Sequence, residues 1–238
     1  MKLAIVAACV LLSAGSLYAQ GAADPSGHWE GSINAPGLEL DIAVDLAKNA
    51  KGEIVGTISI PSQNLNSVPL SSVSADGPSV RFVLRTGSGG GPFEGGLSSD
   101  GKTLSGDFIT RGFAVPFSMT WTGDARIEPP AKSPPIGKEF EGTWNGTLDL
   151  GGRQLPLVLK MSNQPDGTAM GSLLGDELEI PIIMKQEARQ LTFDGKSVGS
   201  SYSGVLSAAG TELTGMYTQG GLDLPLTFRR ASVAEGTR

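Results

Sequence analysis

One short segment has the letters of a catalytic nucleophile site. Residues 195–199 read GKSVG, which matches the G-x-S-x-G pattern that places a serine on a sharp turn between a strand and a helix. That chemistry also needs a histidine that follows the serine in the chain. The sole histidine, His28, lies far upstream of Ser197, and the residues around Ser197 indicate a hairpin between two strands. We therefore expect no catalytic residue in this segment.

Metal-binding chemistry lacks its usual ligands in this sequence. The chain has one cysteine, Cys9, and one histidine, His28, which cannot form the common zinc sites built from several cysteine and histidine ligands. Cys9 also lies in an apolar N-terminal segment that we expect to be removed, which would leave no thiol and no disulfide. The sequence predicts no metal site and no cofactor.

The segments that would form the strands around any site occur twice in the sequence. Moving residues 142–171 back by 115 positions places Gly142 on Gly27 and Trp144 on Trp29 without a gap, and further glycines and leucines also coincide. Residues 202–230 match residues 93–121 in the same way. The chain therefore contains two copies of one fold.

Within each copy the hydrophobic residues alternate with polar ones. In the first copy Leu40, Ile42, Val44 and Leu46 fall on one face of a strand, and the second copy repeats this alternation. A period of two is typical of a half-buried β-strand. Short strands joined by glycine-containing turns predict an antiparallel meander that closes on itself. We predict an all-β fold of two tandem meander β-barrels with about eight strands each.

The duplication also sets the expected domain bounds. We assign residues 24–123 to the first barrel, 124–140 to a linker and 141–231 to the second barrel. The linker contains Pro129, Pro130, Pro134 and Pro135, and such segments are extended and stiff. We expect it to separate the barrels without becoming buried. Gly106 and Gly215 interrupt strand patterns at equivalent positions, where glycine marks a bend or a close backbone approach.

The two copies disagree at most of the residues that carry charge. His28 corresponds to Thr143, so the fold itself does not require an imidazole, and we predict His28 to be an exposed strand residue. Paired carboxylates can hydrolyse glycosides, but the strand carboxylates are replaced in the second copy, which favours solvated faces. The three pairs are Asp41 with Pro156, Asp45 with Lys160 and Asp107 with Met216.

The N-terminus indicates export. Residues 1–19 carry one positive charge followed by a short apolar run, which is typical of a secretory signal peptide and too short for a spanning helix. We expect a periplasmic or secreted bacterial protein that does not span the membrane after cleavage. The formal net charge of −6 excludes the basic surface that nucleic acid binding requires.

Two tryptophans are the candidate ligand-contact residues. Trp29 and Trp144 stand at the start of each copy in GHWEG and GTWNG. Such a ring either plugs the end of a barrel or forms the aromatic floor of a ligand pocket. The Gly-x-Trp start is similar to that of lipocalin-like and avidin-like barrels.

A longer pattern resembles a known accessory domain. The second copy contains G-x-W-x-G at 142–146, Ile180-Pro181, Y-x-G-x-L at 202–206 and a final segment at 220–229 that includes L-P-L-x-F-R. This combination is similar to the all-β domain that precedes the α/β-hydrolase domain in some secreted bacterial serine hydrolases. The hydrolase domain and its catalytic residues are absent from this sequence. The resemblance implies a non-enzymatic envelope or secreted module.

Two functions follow as hypotheses. The first is an exported, non-catalytic tandem β-barrel protein that binds a small apolar ligand, or a protein or glycan partner. The alternative is a structural or interaction module that acts beside a separately encoded serine hydrolase. The sequence leaves the ligand, the oligomeric state and the hollowness of the barrels open.

Overall fold

The computed structural model describes residues 24–86 and 90–231. The predicted signal peptide at 1–19 and Cys9 therefore lie outside the described residues. The first domain contains nine described strands: β1 (Gly27–Ala35), β2 (Leu38–Lys48), β3 (Ile54–Ile60), β4 (Leu65–Pro69), β5 (Ser72–Asp76), β6 (Ser79–Leu84), β7 (Gly91–Leu97), β8 (Thr103–Thr110) and β9 (Phe113–Gly123). A short 3-10 turn, Pro61–Gln63, joins β3 to β4.

The second domain contains eight described strands: β10 (Gly142–Asp149), β11 (Gln154–Asn163), β12 (Ala169–Gly175), β13 (Leu178–Glu187), β14 (Gln190–Gly195), β15 (Ser200–Leu206), β16 (Glu212–Gln219) and β17 (Leu222–Arg230). A second 3-10 turn, Lys196–Val198, joins β14 to β15. These strands form a closed antiparallel barrel in sequential order, with β17 paired to β10. The predicted eight-stranded barrel is confirmed for this copy.

The first domain differs from the prediction. Its nine strands form one curled sheet in the order β4-β3-β2-β1-β9-β8-β7-β6-β5, with β4 and β5 at the two edges. The strand that corresponds to β13 of the second domain is divided at Leu70 and Ser71, whose backbone N–H groups donate to the carbonyl oxygens of Gly56 and Val83, both at 2.9 Å. In the second domain β13 also changes partner, from β12 to β14 after Ile182, but stays one strand.

The prediction of two tandem all-β units is confirmed, but a closed barrel of eight strands holds only for the second. In the second domain β13 pairs with β12 along its first half and with β14 along its second half, which keeps the barrel closed. In the first domain the equivalent strand is broken into β4 and β5, and the sheet stays open at that point. The equivalent glycines Gly106 and Gly215 lie where strands approach closely, because a Cβ at either position would come within 2.0 Å of a backbone oxygen on the neighbouring strand.

Aromatic rings fill the inside of the first sheet. Phe93 stacks on Phe82 and Phe108 with ring centroids 4.6 and 4.4 Å apart, and Phe117 meets Phe93 edge-on at 5.3 Å. Inward residues of the strands complete this core, including Ile42, Val44, Ile58, Ile60, Leu84 and Leu104. The second barrel has its own core around Phe193, Tyr202 and Phe228. Each copy therefore buries a separate core.

The linker is not the exposed spacer that its prolines predict. Ile136 and Phe140 are buried in the core of the second barrel, with Phe140 at 0% exposure. Ser133 exchanges two backbone hydrogen bonds with Ala169, both at 2.9 Å, and its hydroxyl accepts a bond from the Met184 backbone N–H at 2.8 Å. The linker thus plugs one end of the barrel, because its apolar residues find space there that no strand fills.

We predict that Phe140→Ala destabilises the second domain by about 3–5 kcal/mol, since the substitution removes a fully buried ring from a packed core. Chemical denaturation of the full chain, followed by tryptophan fluorescence, measures this change. Lys138→Ala, at an exposed position of the same segment, is the control and should alter stability by less than about 0.5 kcal/mol. Equal effects of the two substitutions would contradict the plug.

Candidate functional site

A cavity of about 210 Å³ opens at the end of the second barrel opposite the linker plug. Apolar side chains form most of its wall: Leu155, Leu157, Leu173, Leu178, Ile180 and Val198. Leu65 and Thr86 of the first domain also line it. The cavity is therefore an unfilled part of the barrel interior that the neighbouring domain partly covers.

The cavity lies beside an inward glycine of the second barrel. Gly175 ends β12 at the position that corresponds to Ile60 in the first copy, and Ile60 is buried in the first core. Because an eight-stranded barrel is just wide enough for its own side chains to fill, the missing aliphatic group leaves space, and Gly175 lines that space directly. Gly195, at the position of Leu84, does not contribute, since a Cβ there would meet Ser200 Oγ at 2.6 Å and Ile180 Cδ1 at 2.8 Å.

The two domains meet at the mouth of this cavity. Leu178 packs against both hydrophobic cores. Asn64, which follows the first 3-10 turn, contacts Gly199, which follows the second, so closely that a Cβ on Gly199 would lie 2.1 Å from Asn64 Nδ2. Arg85 and Glu177 add an exposed ion pair at 3.3 Å. The first domain thus forms one side of the cavity entrance.

Polar atoms also reach the cavity wall. The Tyr217 hydroxyl donates to Gln219 Oε1 at 3.2 Å, and Gln219 Nε2 donates to the Val198 carbonyl oxygen at 3.1 Å. Burial raises the pKa of Tyr217, an increase that the neighbouring Ser200 hydroxyl opposes. Although it lies near Tyr217, the buried Ser200 Oγ has no hydrogen bond of acceptable geometry. The cavity therefore combines an apolar wall with a small polar group.

The structure places Ser197, from the G-x-S-x-G match, and His28 in different domains. Ser197 lies in the 3-10 turn between β14 and β15 and is buried, while His28 lies on β1 of the other domain. The strand–turn–helix context that the motif needs is replaced by the hairpin expected from the sequence. Its neighbour Val198, however, lines the cavity, a role that sequence reasoning missed.

The prediction of an exposed His28 is wrong. His28 is 6% exposed, its Nδ1 lies 2.8 Å from Asp45 Oδ1, and its Nε2 lies 3.1 Å from Glu30 Oε1. The first copy holds this outward-facing residue between Asp45 and Glu30 on the neighbouring and the same strand. Thr143 in the second copy is exposed, so the comparison of copies correctly found that the strand itself does not need the imidazole.

Asp45 is also not a solvated carboxylate. It is 7% exposed and accepts a hydrogen bond from the Arg126 backbone N–H at 2.7 Å as well as facing His28. Asp41 and Asp107 are exposed, as expected. The buried His28–Asp45 pair thus fastens the start of the linker to the first sheet. The fastening bond joins Asp45 to Arg126, which lie 81 residues apart in the sequence.

Both candidate tryptophans are enclosed. Trp29 Nε1 donates to the Pro25 carbonyl oxygen and Trp144 Nε1 to the Phe140 carbonyl oxygen, both at 2.9 Å. The Arg230 guanidinium lies 4.2 Å from the centre of the Trp144 ring. These contacts favour the plug interpretation, and contact of either ring with a ligand stays a prediction.

Within residues 24–86 and 90–231, no group of three or more histidine, cysteine, aspartate or glutamate side chains is arranged to hold a metal ion. The same ranges contain no helix with the length and apolar character needed to cross a membrane.

Comparisons with known proteins yield no family. No family model and no curated protein matches the chain. One similar crystal structure is that of a "putative outer membrane protein" from Bacteroides fragilis NCTC 9343, with 14% identity, a TM-score of 0.29, and coverage of 86% of this chain and 96% of that one. Another is a protein of unknown function from the DUF3598 family of Nostoc punctiforme PCC 73102, with 15% identity, a TM-score of 0.27, and coverage of 87% and 96%. Neither score supports a functional argument, and the resemblance to a hydrolase accessory domain stays an interpretation of the sequence.

We expect Asp45→Ala to destabilise the first domain by about 1–3 kcal/mol, because it leaves the buried His28 Nδ1 and the part-buried Arg126 N–H without an acceptor. Urea denaturation of the full chain gives the free energy of unfolding. Asp41→Ala, at an exposed position on the same strand, should change it by less than about 0.5 kcal/mol. If both variants unfold at the wild-type urea concentration, the buried pair does not fasten the linker.

Proposed function

We propose that this protein is an exported, non-catalytic binding protein whose second barrel takes up a small, mainly apolar ligand. The observation that carries the proposal is the cavity beside Gly175, where the first copy has the buried Ile60 and the second has space. Export rests on the sequence of residues 1–19. The absence of a nucleophile motif in a suitable context supports a binding role.

The volume of the cavity limits the size of the ligand. An apolar cavity of about 150 Å³ holds benzene, whereas sites for drug-sized molecules measure about 300–1,000 Å³. At about 210 Å³, this cavity suits a single substituted ring or a short branched chain. Burial of apolar ligand surface against leucine, isoleucine and valine side chains provides the driving force.

A second candidate function is an interaction module beside a separately encoded serine hydrolase. Phe113 and Leu222 occupy equivalent positions after the last hairpin turn of each copy and are 73% and 63% exposed. These two side chains are the contact that we propose for the partner. Affinity capture followed by labelling with a fluorophosphonate probe tests this function, and capture that persists in a Phe113→Ser, Leu222→Ser variant would exclude these side chains as the contact.

We predict that Gly175→Val weakens the binding of p-xylene about tenfold or more, because an isopropyl group then occupies the cavity. The new Cβ would meet Leu157 Cδ2 at 2.5 Å, and this end of a flexible side chain can move aside. Stability should therefore change by no more than about 3 kcal/mol. Chemical-shift titration of the leucine and valine methyl groups measures the affinity.

The matched control is Gly96→Val, which makes the same substitution on the first sheet at the position where the second copy has the exposed Val205. This variant should bind p-xylene as the wild type does. Methyl shifts confined to residues away from the cavity, or equal affinities in the two variants, would refute the assignment of the site.

A further inference from the structure

We propose that the cavity selects a neutral ligand that carries a hydrogen-bond donor, such as an alcohol or a phenol, and that this donor binds the oxygen of Tyr217. The inference rests on the proposed function and specifies the chemical class of its ligand.

The hydrogen bonds around Tyr217 determine whether its hydroxyl group can still donate or accept a hydrogen bond. Gln219 Nε2 must face the Val198 carbonyl oxygen, since only the amide nitrogen can donate to it. Gln219 Oε1 then faces Tyr217 and accepts the phenolic proton at 3.2 Å. The Tyr217 oxygen keeps lone pairs that can accept a bond. A ligand that meets this oxygen must therefore donate.

A second polar atom lies beside Tyr217. Ser200 is 5% exposed and does not line the cavity. It pairs with Gln219 in the ladder between β15 and β16, two residues along the strand from Tyr217, and its hydroxyl opposes the rise in the pKa of that phenol. Ser200 therefore belongs to the surroundings of Tyr217 and is not itself a ligand contact.

The first copy has none of this polar chemistry. Phe108 occupies the position of Tyr217, and Gly91 occupies the position of Ser200. Phe108 stacks on Phe93 inside the filled sheet. The Tyr217 hydroxyl and the glycine that opens the space, Gly175, thus occur together, in the second copy and at one end of its barrel. Ser200 has a packing cause instead, since it pairs across the strands with Gly195, where a Cβ would lie 2.6 Å from its Oγ.

The charges at the entrance favour a neutral ligand. Of the described residues that line the cavity, Asp176 alone is charged, and its Oδ2 accepts a bond from Arg153 Nη2 at 2.6 Å. An ionic ligand would lose its hydration without gaining an unpaired counter-charge. Because burial raises the pKa of Tyr217, its phenol also stays uncharged at neutral pH.

The test uses p-cresol and p-xylene, which have nearly the same shape and differ by a hydroxyl in place of a methyl group. Tyr217→Phe should weaken p-cresol binding roughly three- to tenfold relative to its effect on p-xylene, the range expected for one hydrogen bond. Methyl chemical-shift titrations with each probe give the two affinities. Phenylalanine at the equivalent position of the first copy indicates that the variant folds.

The control is Tyr202→Phe, since the Tyr202 hydroxyl lies 3.0 and 3.2 Å from the carbonyl oxygens of Leu213 and Leu226 and does not line the cavity. It should leave the p-cresol to p-xylene affinity ratio unchanged. If both probes bind and Tyr217→Phe leaves the ratio unchanged, the donor inference is wrong and the apolar site stands. If neither probe shifts the cavity methyl groups of the wild type, both the inference and the proposed function fail.

Discussion

The inside of a small closed sheet must be filled by the side chains that point into it, and the rest of this protein depends on that constraint. In an eight-stranded barrel the interior is just wide enough for the inward side chains to fill. The first copy, a curled open sheet, fills its inside with stacked phenylalanines and with aliphatic residues such as Ile60 and Leu84. The second copy, which is closed, leaves space beside Gly175.

The same constraint explains the ends of the domains. A barrel end that strands do not cover has to be closed by other parts of the chain. The indoles of Trp29 and Trp144 donate to the carbonyl oxygens of the residues four positions before them, Pro25 and Phe140, which favours this role for both rings. In the second domain the linker contributes Ile136 and Phe140 to the core. The opposite end of this barrel faces the first domain, and the cavity lies there.

Duplication supplies an internal control for function. Residues that both copies share, such as the tryptophans and Gly106 with Gly215, serve closure and close packing. Residues that differ between the copies give each domain contacts that the other domain lacks. His28 and Asp45 fasten the linker in the first domain, whereas Gly175 and Tyr217 line a polar-edged cavity in the second.

The sequence by itself determined the strands, the duplication and the two all-β units, because alternation with a period of two and glycine at turns are properties of neighbouring residues. It also excluded a nucleophile at Ser197 from local context. Only the tertiary structure decided that β4 and β5 are separate strands, that the linker enters a core, and that His28 and Asp45 are buried. Each of these depends on contacts between segments distant in sequence, as in the bond from Arg126 to Asp45. The cavity also depends on segments that are distant in sequence, because inward residues on several strands and the neighbouring domain together form its wall.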